Sequence, residues 1–390
     1  MNKVSLVKNT ISQKELLDLS KWILSAPKLT KGTLTDKFEK EWSEWLGVDT
    51  SVFVSSGSSA NLAAFYALKL NGKLKNNRVI MPAVSWATTI APAIQLGFEP
   101  VLCDCNMNNY GLDLDMLKEL IEKHDPGIIV TVNVLGFANN YFEILELCER
   151  NNIVLIEDSC EAVGTTYAGK KVGTFGHIST FSFYYGHHIS TIEGGMVCTN
   201  DEDLNTIIRS IRCHGWDRDL APHKQESLRK QHAVGEFKSL YTFYYPGFNM
   251  RPTDLQAFLG LTQLKNLSNN VSIRDRNFRL YHNHDFYENK PKLCNKEIIS
   301  NFAYPVITEN IDSLVLDLKE AAIECRPLIC GSISRQPFWY ERYGKRTMRN
   351  ADIIHDKGLY VPNNQNMTED EVHMVIGVLR KHFQRSNRKK

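Results

Sequence analysis

The chain has 390 residues, 43% of them hydrophobic and 23% charged, with a formal net charge of +2. This is enough for one large globular domain and a smaller one, and the near-neutral balance gives no reason to expect a nucleic-acid partner. No apolar run approaches the ~18 residues of a membrane span, and the first residues lack a signal-like apolar stretch, so a cytoplasmic location is expected.

Residues 12–25 are predicted as a helix with Leu16, Leu17, Leu19, Trp22, Ile23 and Leu24 on one broad face. Thr35 to Leu46 reads as a second helix, with Phe38, Trp42 and Trp45 at helical spacing. Short apolar runs then alternate with helical stretches: SVFVSS (51–56), RVIMPAVSW (78–86), EPVLCDC (99–105), GIIVTVNVLG (127–136), IVLIEDSC (153–160), TFSFYY (180–185) and GMVCTN (195–200). The helical partners include SSANLAAFYALKL, LDMLKELIEKH and YFEILELCER. Such alternation implies an α/β fold with a mostly parallel sheet covered on both faces and ligands at the carboxyl ends of its strands. Residues 217–240 are polar and read as a loop, and a long helix is expected from about Thr253. NFAYPVI, IECRPLI and GLYVP then read as strands of a second, α+β domain, with helices near 311–323, 350–358 and 368–383. The basic run from Arg385 to Lys390 reads as a solvated tail.

Nine cysteines, at 103, 105, 148, 160, 198, 213, 294, 325 and 330, form neither a Cys-x-x-Cys pair nor a disulfide framework. Cys103 and Cys105 alternate along one run, so they are expected on the same face as small buried hydrophobes.

Four features carry chemistry. Ser56-Gly57-Ser58-Ser59 lies between a strand and a helix, where free N–H groups suit a phosphate; the same residues are also ordinary helix caps. Asp158 ends an apolar strand and needs a cationic or donor partner, which a protonated pyridine nitrogen, a helix N-cap role or an ion pair would each supply. Trp86 follows another strand and suits either stacking on a flat ring or core packing. His187 and His188 stand near Glu193, but adjacent side chains diverge, so no metal site is expected; His188 reads as a structural histidine.

These motifs occur in a specific order: KLTKGTLTDKFEKEW, VSSGSSANL, MPAVSWATT, LIEDSCEAVG, GTFG, TFSFYYGHHISTIEGGMV, IRCHGWDRD, GFNMRPTDLQAFLG and ECRPLI. Together they resemble the DegT/DnrJ/EryC1/StrS family of sugar aminotransferases over nearly the whole chain. In that family a lysine six residues before the Glu of Glu-Gly-Gly holds pyridoxal phosphate (PLP) covalently. Six residues before Glu193 stands His187, which cannot do this but can move a proton near neutral pH. The replacement resembles the histidine-containing sugar 3-dehydratase branch. The branch that adds an iron–sulfur cluster uses four cysteines in a spacing absent here.

The resemblance implies a PLP-dependent aspartate-aminotransferase-like (type I) fold, with a cofactor domain over residues 1–262 and a small domain over 263–390. It implies noncovalent PLP and pyridoxamine phosphate (PMP), L-glutamate as amino donor, and a nucleotide-linked 4-keto-6-deoxyhexose as substrate, GDP favoured, in colitose-type dideoxysugar synthesis. Gly57, Ser58 and Ser182 would hold the cofactor phosphate, joined by Asn249 from a second subunit, so a homodimer with shared sites is implied. Trp86 would stack on the pyridine, Asp158 pair with its nitrogen and Glu161 lie against it, with His187 as acid/base. His214, Arg218, Arg251 and Arg326 match substrate-side positions. An ordinary nucleotide-sugar aminotransferase and a lysine-lacking, non-catalytic family member are the alternative readings.

Overall fold

The computed structural model describes residues 3–284, 286, 290–292 and 297–387; Cys294 and the last three residues of the basic tail lie outside them. Helices α1 (Gln13–Leu24) and α2 (Thr33–Leu46) precede strand β1 (Thr50–Val54) and α3 (Gly57–Asn71). Then come β2 (Arg78–Pro82), α4 (Ala87–Gln95), β3 (Glu99–Cys103), α5 (Leu114–His124), β4 (Ile128–Val132), α6 (Tyr141–Arg150) and β5 (Val154–Asp158). A short hairpin, β6 (Thr166–Tyr167) and β7 (Lys170–Lys171), leads to β8 (Ile178–Ser182) and β9 (Gly195–Thr199). Helices α7 (Glu202–Arg212), α8 (Pro222–Gln231), α9 (Glu236–Ser239), α10 (Asp254–Leu264) and α11 (Leu267–His282) follow. The chain ends with β10 (Ala303–Ile307), α12 (Ile311–Glu320), β11 (Arg326–Pro327), α13 (Pro337–Tyr343), α14 (Arg349–Lys357), β12 (Gly358–Pro362) and α15 (Glu369–Asn387).

Seven strands form the main sheet in the order β1-β9-β8-β5-β4-β2-β3. β9 runs antiparallel to both neighbours; every other pair is parallel. The two-residue period of the strands divides their side chains between two apolar layers. Ile80, Ile129 and Leu155 meet Leu117 and Ile121 of α5 and Ile144 of α6. Val79, Met81, Ile128, Val130 and Ile156 belong to the other layer, with Ala60, Ala63, Ala64 and Ala67 of α3. That row of small residues lets α3 lie close to the sheet and brings its N-terminus to the strand ends. After β3 the chain returns to the opposite side of β2 to form β4, a topological switch that opens a crevice at the strands' carboxyl ends. A smaller sheet, β10-β12-β11, is antiparallel, and Val4 pairs with Ile323 beside it.

The structure corrects several expectations. The segment expected as a loop at 217–240 contains α8 and α9; α8 buries none of its side chains, so it has no apolar stripe for a periodicity to reveal. The long helix from Thr253 is two helices, α10 and α11; α10 is capped by reciprocal Thr253 and Gln256 bonds. Helix α13 was not expected. Cys103 and Cys105 are both buried but lie in different apolar clusters, because β3 ends at Cys103. Beyond it the Asp104 carboxylate accepts the N–H groups of Cys105, Asn350 and Ala351 and turns the chain. On α1 only Leu19 is buried; Leu17 is 62% and Leu24 83% exposed.

Candidate active site

The Glu-Gly-Gly segment shapes one corner of the crevice. Gly195 pairs with Val54 across one strand edge and with Ser182 across the other. A Cβ on Gly195 would overlap the Ser56 carbonyl, so glycine is what lets β9 touch the β1–α3 turn. Gly57 is equally constrained: a Cβ there would lie 2.6 Å from the Cβ of Ser182. Ser182 is thereby held against the first turn of α3. Ser56 caps that helix by accepting the N–H of Ser59 at 3.0 Å. The N–H groups of Gly57 and Ser58 belong to the first turn, which has no acceptor within its own helix, and Ser58 is exposed. This cradle fits a phosphate dianion.

Asp158 ends β5 and is 5% exposed. Its Oδ2 accepts from Asn61 Nδ2 at 2.9 Å and Thr89 Oγ1 at 2.7 Å; its Oδ1 accepts from the Cys160 N–H at 3.2 Å. Three donors from three segments fix the carboxylate's orientation. Thr89 also fixes Trp86, whose carbonyl accepts the Thr89 N–H at 3.1 Å. Trp86 caps α4 and is 56% exposed, so the core-packing role does not apply and its ring is available to a planar ligand. The neighbouring Glu157 points to the opposite side, where the N–H groups of Gly173, Phe175 and Gly176 hold its carboxylate; this is the structural use of GTFG.

His187 is half-buried. Its Nδ1 lies 2.8 Å from the Cys160 carbonyl, which can only accept; Nδ1 therefore carries the hydrogen and Nε2 the lone pair. Its ring packs against Phe302, centroids 5.2 Å apart. Burial, only partly offset by the Cys160 bond, lowers its pKa to about 4. It is a neutral base throughout the physiological range. His188 is fully buried, with Nε2 donating to the Ser300 carbonyl at 2.9 Å, as expected of a structural histidine.

Glu161 is half-buried one residue beyond Cys160, and its Oε2 accepts the Leu135 N–H at 2.8 Å. Burial raises its pKa to about 8. Between its ordinary pKa of 4.5 and about 8 the folded chain therefore keeps a proton that the unfolded chain releases. Stability is thus lost as pH rises through that window. Glu161→Gln is expected to flatten the fall in Tm between pH 5 and 8 by roughly 3 °C or more. Equal Tm slopes for the two proteins would show that Glu161 is not held protonated.

Arg326 lies on the same side: it pairs with Tyr360, whose phenol is pushed up to about 12, first by burial and then by Glu161, against the pull of Arg326. The remaining candidates form a second group beside β1. Cys213 pairs with Asn249, the His214 N–H donates to the Phe248 carbonyl at 2.6 Å, and Arg251 Nε donates to Asn249 Oδ1 at 3.0 Å. Arg218 packs 4.0 Å over the Trp216 ring. The Ser55 N–H donates to the Met250 carbonyl at 3.0 Å, so Asn249 and Arg251 flank a residue bonded to the turn before Gly57. Contacts within the chain thus tie His187, Asp158, Trp86, Glu161 and the cradle together and leave the His214–Arg251 group at the sheet's β1 edge. The sequence reading missed Asn61 and Thr89, although both stand inside motifs it used, VSSGSSANL and MPAVSWATT. Phe302 and Leu135 carried no signal.

The DegT/DnrJ/EryC1/StrS aminotransferase family profile matches residues 10–380. GDP-4-keto-6-deoxy-D-mannose 3-dehydratase of Yersinia pseudotuberculosis is 34% identical over 392 residues, covering 96% of this chain and 98% of that protein. A solved GDP-4-keto-6-deoxymannose-3-dehydratase with a trapped PLP–glutamate geminal diamine superposes with a TM-score of 0.86 at 32% identity, covering 96% of this chain and 100% of the other. A histidine-to-asparagine variant of such an enzyme, with bound GDP-perosamine, gives 0.86 at 31% identity, covering 97% and 100%.

Proposed function

This chain belongs to the DegT/DnrJ/EryC1/StrS aminotransferase family, and we propose that it is a PLP/PMP-dependent 3-dehydratase of a nucleotide-linked 4-keto-6-deoxyhexose, GDP-4-keto-6-deoxy-D-mannose in the first instance. The net reaction exchanges the sugar's C3 hydroxyl for hydrogen. L-Glutamate supplies the two electrons and leaves as 2-oxoglutarate and ammonia. The observation that carries the reading is the imidazole of His187, oriented by the Cys160 carbonyl, at the position to which the family resemblance assigns the lysine.

When bound, the cofactor supplies an amine taken from glutamate and an electron sink conjugated with the sugar. Gly57, Ser58 and Ser182 would hold its phosphate, joined by Asn249 from a second subunit. Asp158 would accept a hydrogen bond from the pyridinium N–H and keep that nitrogen protonated, while Trp86 would stack on the ring and Glu161 would lie against it. His187 accepts a proton at Nε2 and returns it to the departing C3 hydroxyl. With no lysine to recapture the cofactor, the sugar leaves as a deoxygenated ketone rather than an amino sugar. His214, Arg218, Arg251 and Arg326 supply positive charge or hydrogen-bond donors for the diphosphate and the glutamate carboxylates. The exposed apolar face of α1 and the edge position of Asn249 support a homodimer with shared sites. We read residues 1–262 as the cofactor domain, 263–390 as the smaller one, and the cytoplasm as the location.

The test is an absorbance spectrum of the protein with PLP, before and after L-glutamate, on a sample whose mass is measured by light scattering. A shift from about 390 nm to about 330 nm, no borohydride-trapped protein adduct, and ammonia release on adding the GDP-sugar are expected. No spectral change would favour the non-catalytic reading, and a trapped adduct the aminotransferase. A mass of one chain would remove Asn249 from the site. In the same assay His187→Lys is expected to become trappable by borohydride and to lose dehydration. Failure to trap would mean that position 187 does not face the cofactor aldehyde.

A further inference from the structure

Behind the two histidines lies a guanidinium that the reaction as derived does not use. Arg274, on α11, is 1% exposed. Among the described residues no carboxylate pairs with it. Nη1 donates to the carbonyls of Asn301, Phe302 and Asn363 at 3.2, 2.9 and 2.6 Å, and Nε donates to Gln365 Oε1 at 2.9 Å. A buried cation without a counter-ion is costly, and a core that needed only packing would be served as well by an apolar side chain of similar volume.

We infer that Arg274 is a positioning residue for the dehydration: its guanidinium clamps the segment 300–302 beneath the catalytic imidazole and places a fixed positive charge behind it. The inference rests on the reading of His187 as the reaction's base.

Three chains of contact lead from Arg274 to the site. Phe302, whose carbonyl it holds, packs on His187, and its ring faces the guanidinium at 6.0 Å. Gln365, held at Oε1, donates through Nε2 to the His188 carbonyl at 3.1 Å, fixing the peptide that follows His188, one residue beyond the imidazole. Asn301 Nδ2 and the Phe302 N–H both donate to the Leu135 carbonyl, and the Leu135 N–H is the group that holds Glu161. One cation therefore sets the segments behind both the base and the carboxyl beside it. Its charge also acts directly on both imidazoles, in the same direction as burial, while Asp158 opposes it at His187. Burial lowers the pKa of Arg274 itself only to about 9, so the charge persists at neutral pH.

The groups acting on His187 are Arg274 from α11, Asp158 at the end of β5 and the Cys160 carbonyl after it, with His188 beside it. Of these, Arg274 is the one cation, so its removal has a definite sign. The experiment follows the histidine ring signals by NMR in full-length protein with added PLP, alongside the pH profile of kcat/KM, for wild type, Arg274→Gln and Arg274→Lys. In Arg274→Gln the His187 midpoint and the acid limb of the profile are expected to rise by about one pH unit, and kcat to fall about tenfold with KM little changed. Arg274→Lys is expected to keep the wild-type midpoint and recover part of kcat. Its ammonium, desolvated in place, is also expected to add a basic limb below the usual lysine range. That limb tests the idea even if Arg274→Gln does not fold, and its absence would then overturn it. An unchanged His187 midpoint in folded Arg274→Gln would also overturn it, as would equal losses in both variants with no change in pH profile. If the wild type shows no dehydration the proposed function fails, yet the NMR midpoints still decide whether Arg274 acts on His187.

Discussion

His187→Asn is expected to bind PLP normally and to lose about a thousandfold in dehydration rate. The asparagine amide can still donate to the Cys160 carbonyl, so the segment from Ser182 to Gly195 keeps its path. What disappears is the lone pair at Nε2, and among the described residues no other neutral base is tied to that position: His188 is fully buried, with its Nε2 bonded to the Ser300 carbonyl. Glutamate should also cease to convert PLP, because that half-reaction needs the same proton transfer. Loading the variant with PMP and adding the GDP-sugar in a single turnover isolates the dehydration step. A rate within tenfold of wild type would remove His187 from the mechanism and transfer the base to another group.

The second large effect is expected at Asp158. Asp158→Asn replaces an acceptor by a donor where Asn61, Thr89 and the Cys160 N–H already donate. A buried mismatch of this kind costs about 1–3 kcal/mol, which a lowered Tm of the cofactor-free protein would register. The catalytic loss should be larger, about a thousandfold, because an amide cannot hold the proton on a pyridine nitrogen. Weaker PLP binding is expected in the same variant, since an ionic partner is lost. A variant with wild-type turnover and a lowered Tm would leave Asp158 as the hub of a structural network and nothing more.

Much of this was legible in the linear chain, for identifiable reasons. Fully covered strands read as continuous apolar runs, so β4, β5, β8 and β9 were visible together with the residues at their ends. The cradle proposed for the phosphate was visible because a strand, a Ser-Gly turn and a helix are contiguous. Position 187 was identified by counting back from Glu-Gly-Gly, and that count has a physical basis: Gly195 is the only residue type that lets β9 meet the Ser56 carbonyl, which pins the spacing.

Helix α8 was not legible, since a helix that buries nothing leaves no periodicity. The separation of Cys103 from Cys105 depended on Asp104 turning the chain to meet α14, some 250 residues later. The exposure of Trp86 was equally undecided, because an aromatic after a strand has the same local pattern whether it packs or waits for a ligand.

By itself, then, the sequence determined the α/β architecture, the family, the lysine-to-histidine exchange and the identity of most groups in the crevice. These are properties of residue type and short-range spacing. What those groups can do as acids and bases came from long-range contacts. Residue type says that position 187 can carry a proton; burial and the charge of Arg274 favour its neutral form, and the Cys160 carbonyl decides which nitrogen carries the hydrogen. Likewise Glu161 is a carboxyl in any fold, but burial raises its pKa against the opposing pull of a Leu135 N–H that is 26 residues away in the chain. Protonation state depends on the dielectric and charges around an atom, and those are set by contacts between distant segments.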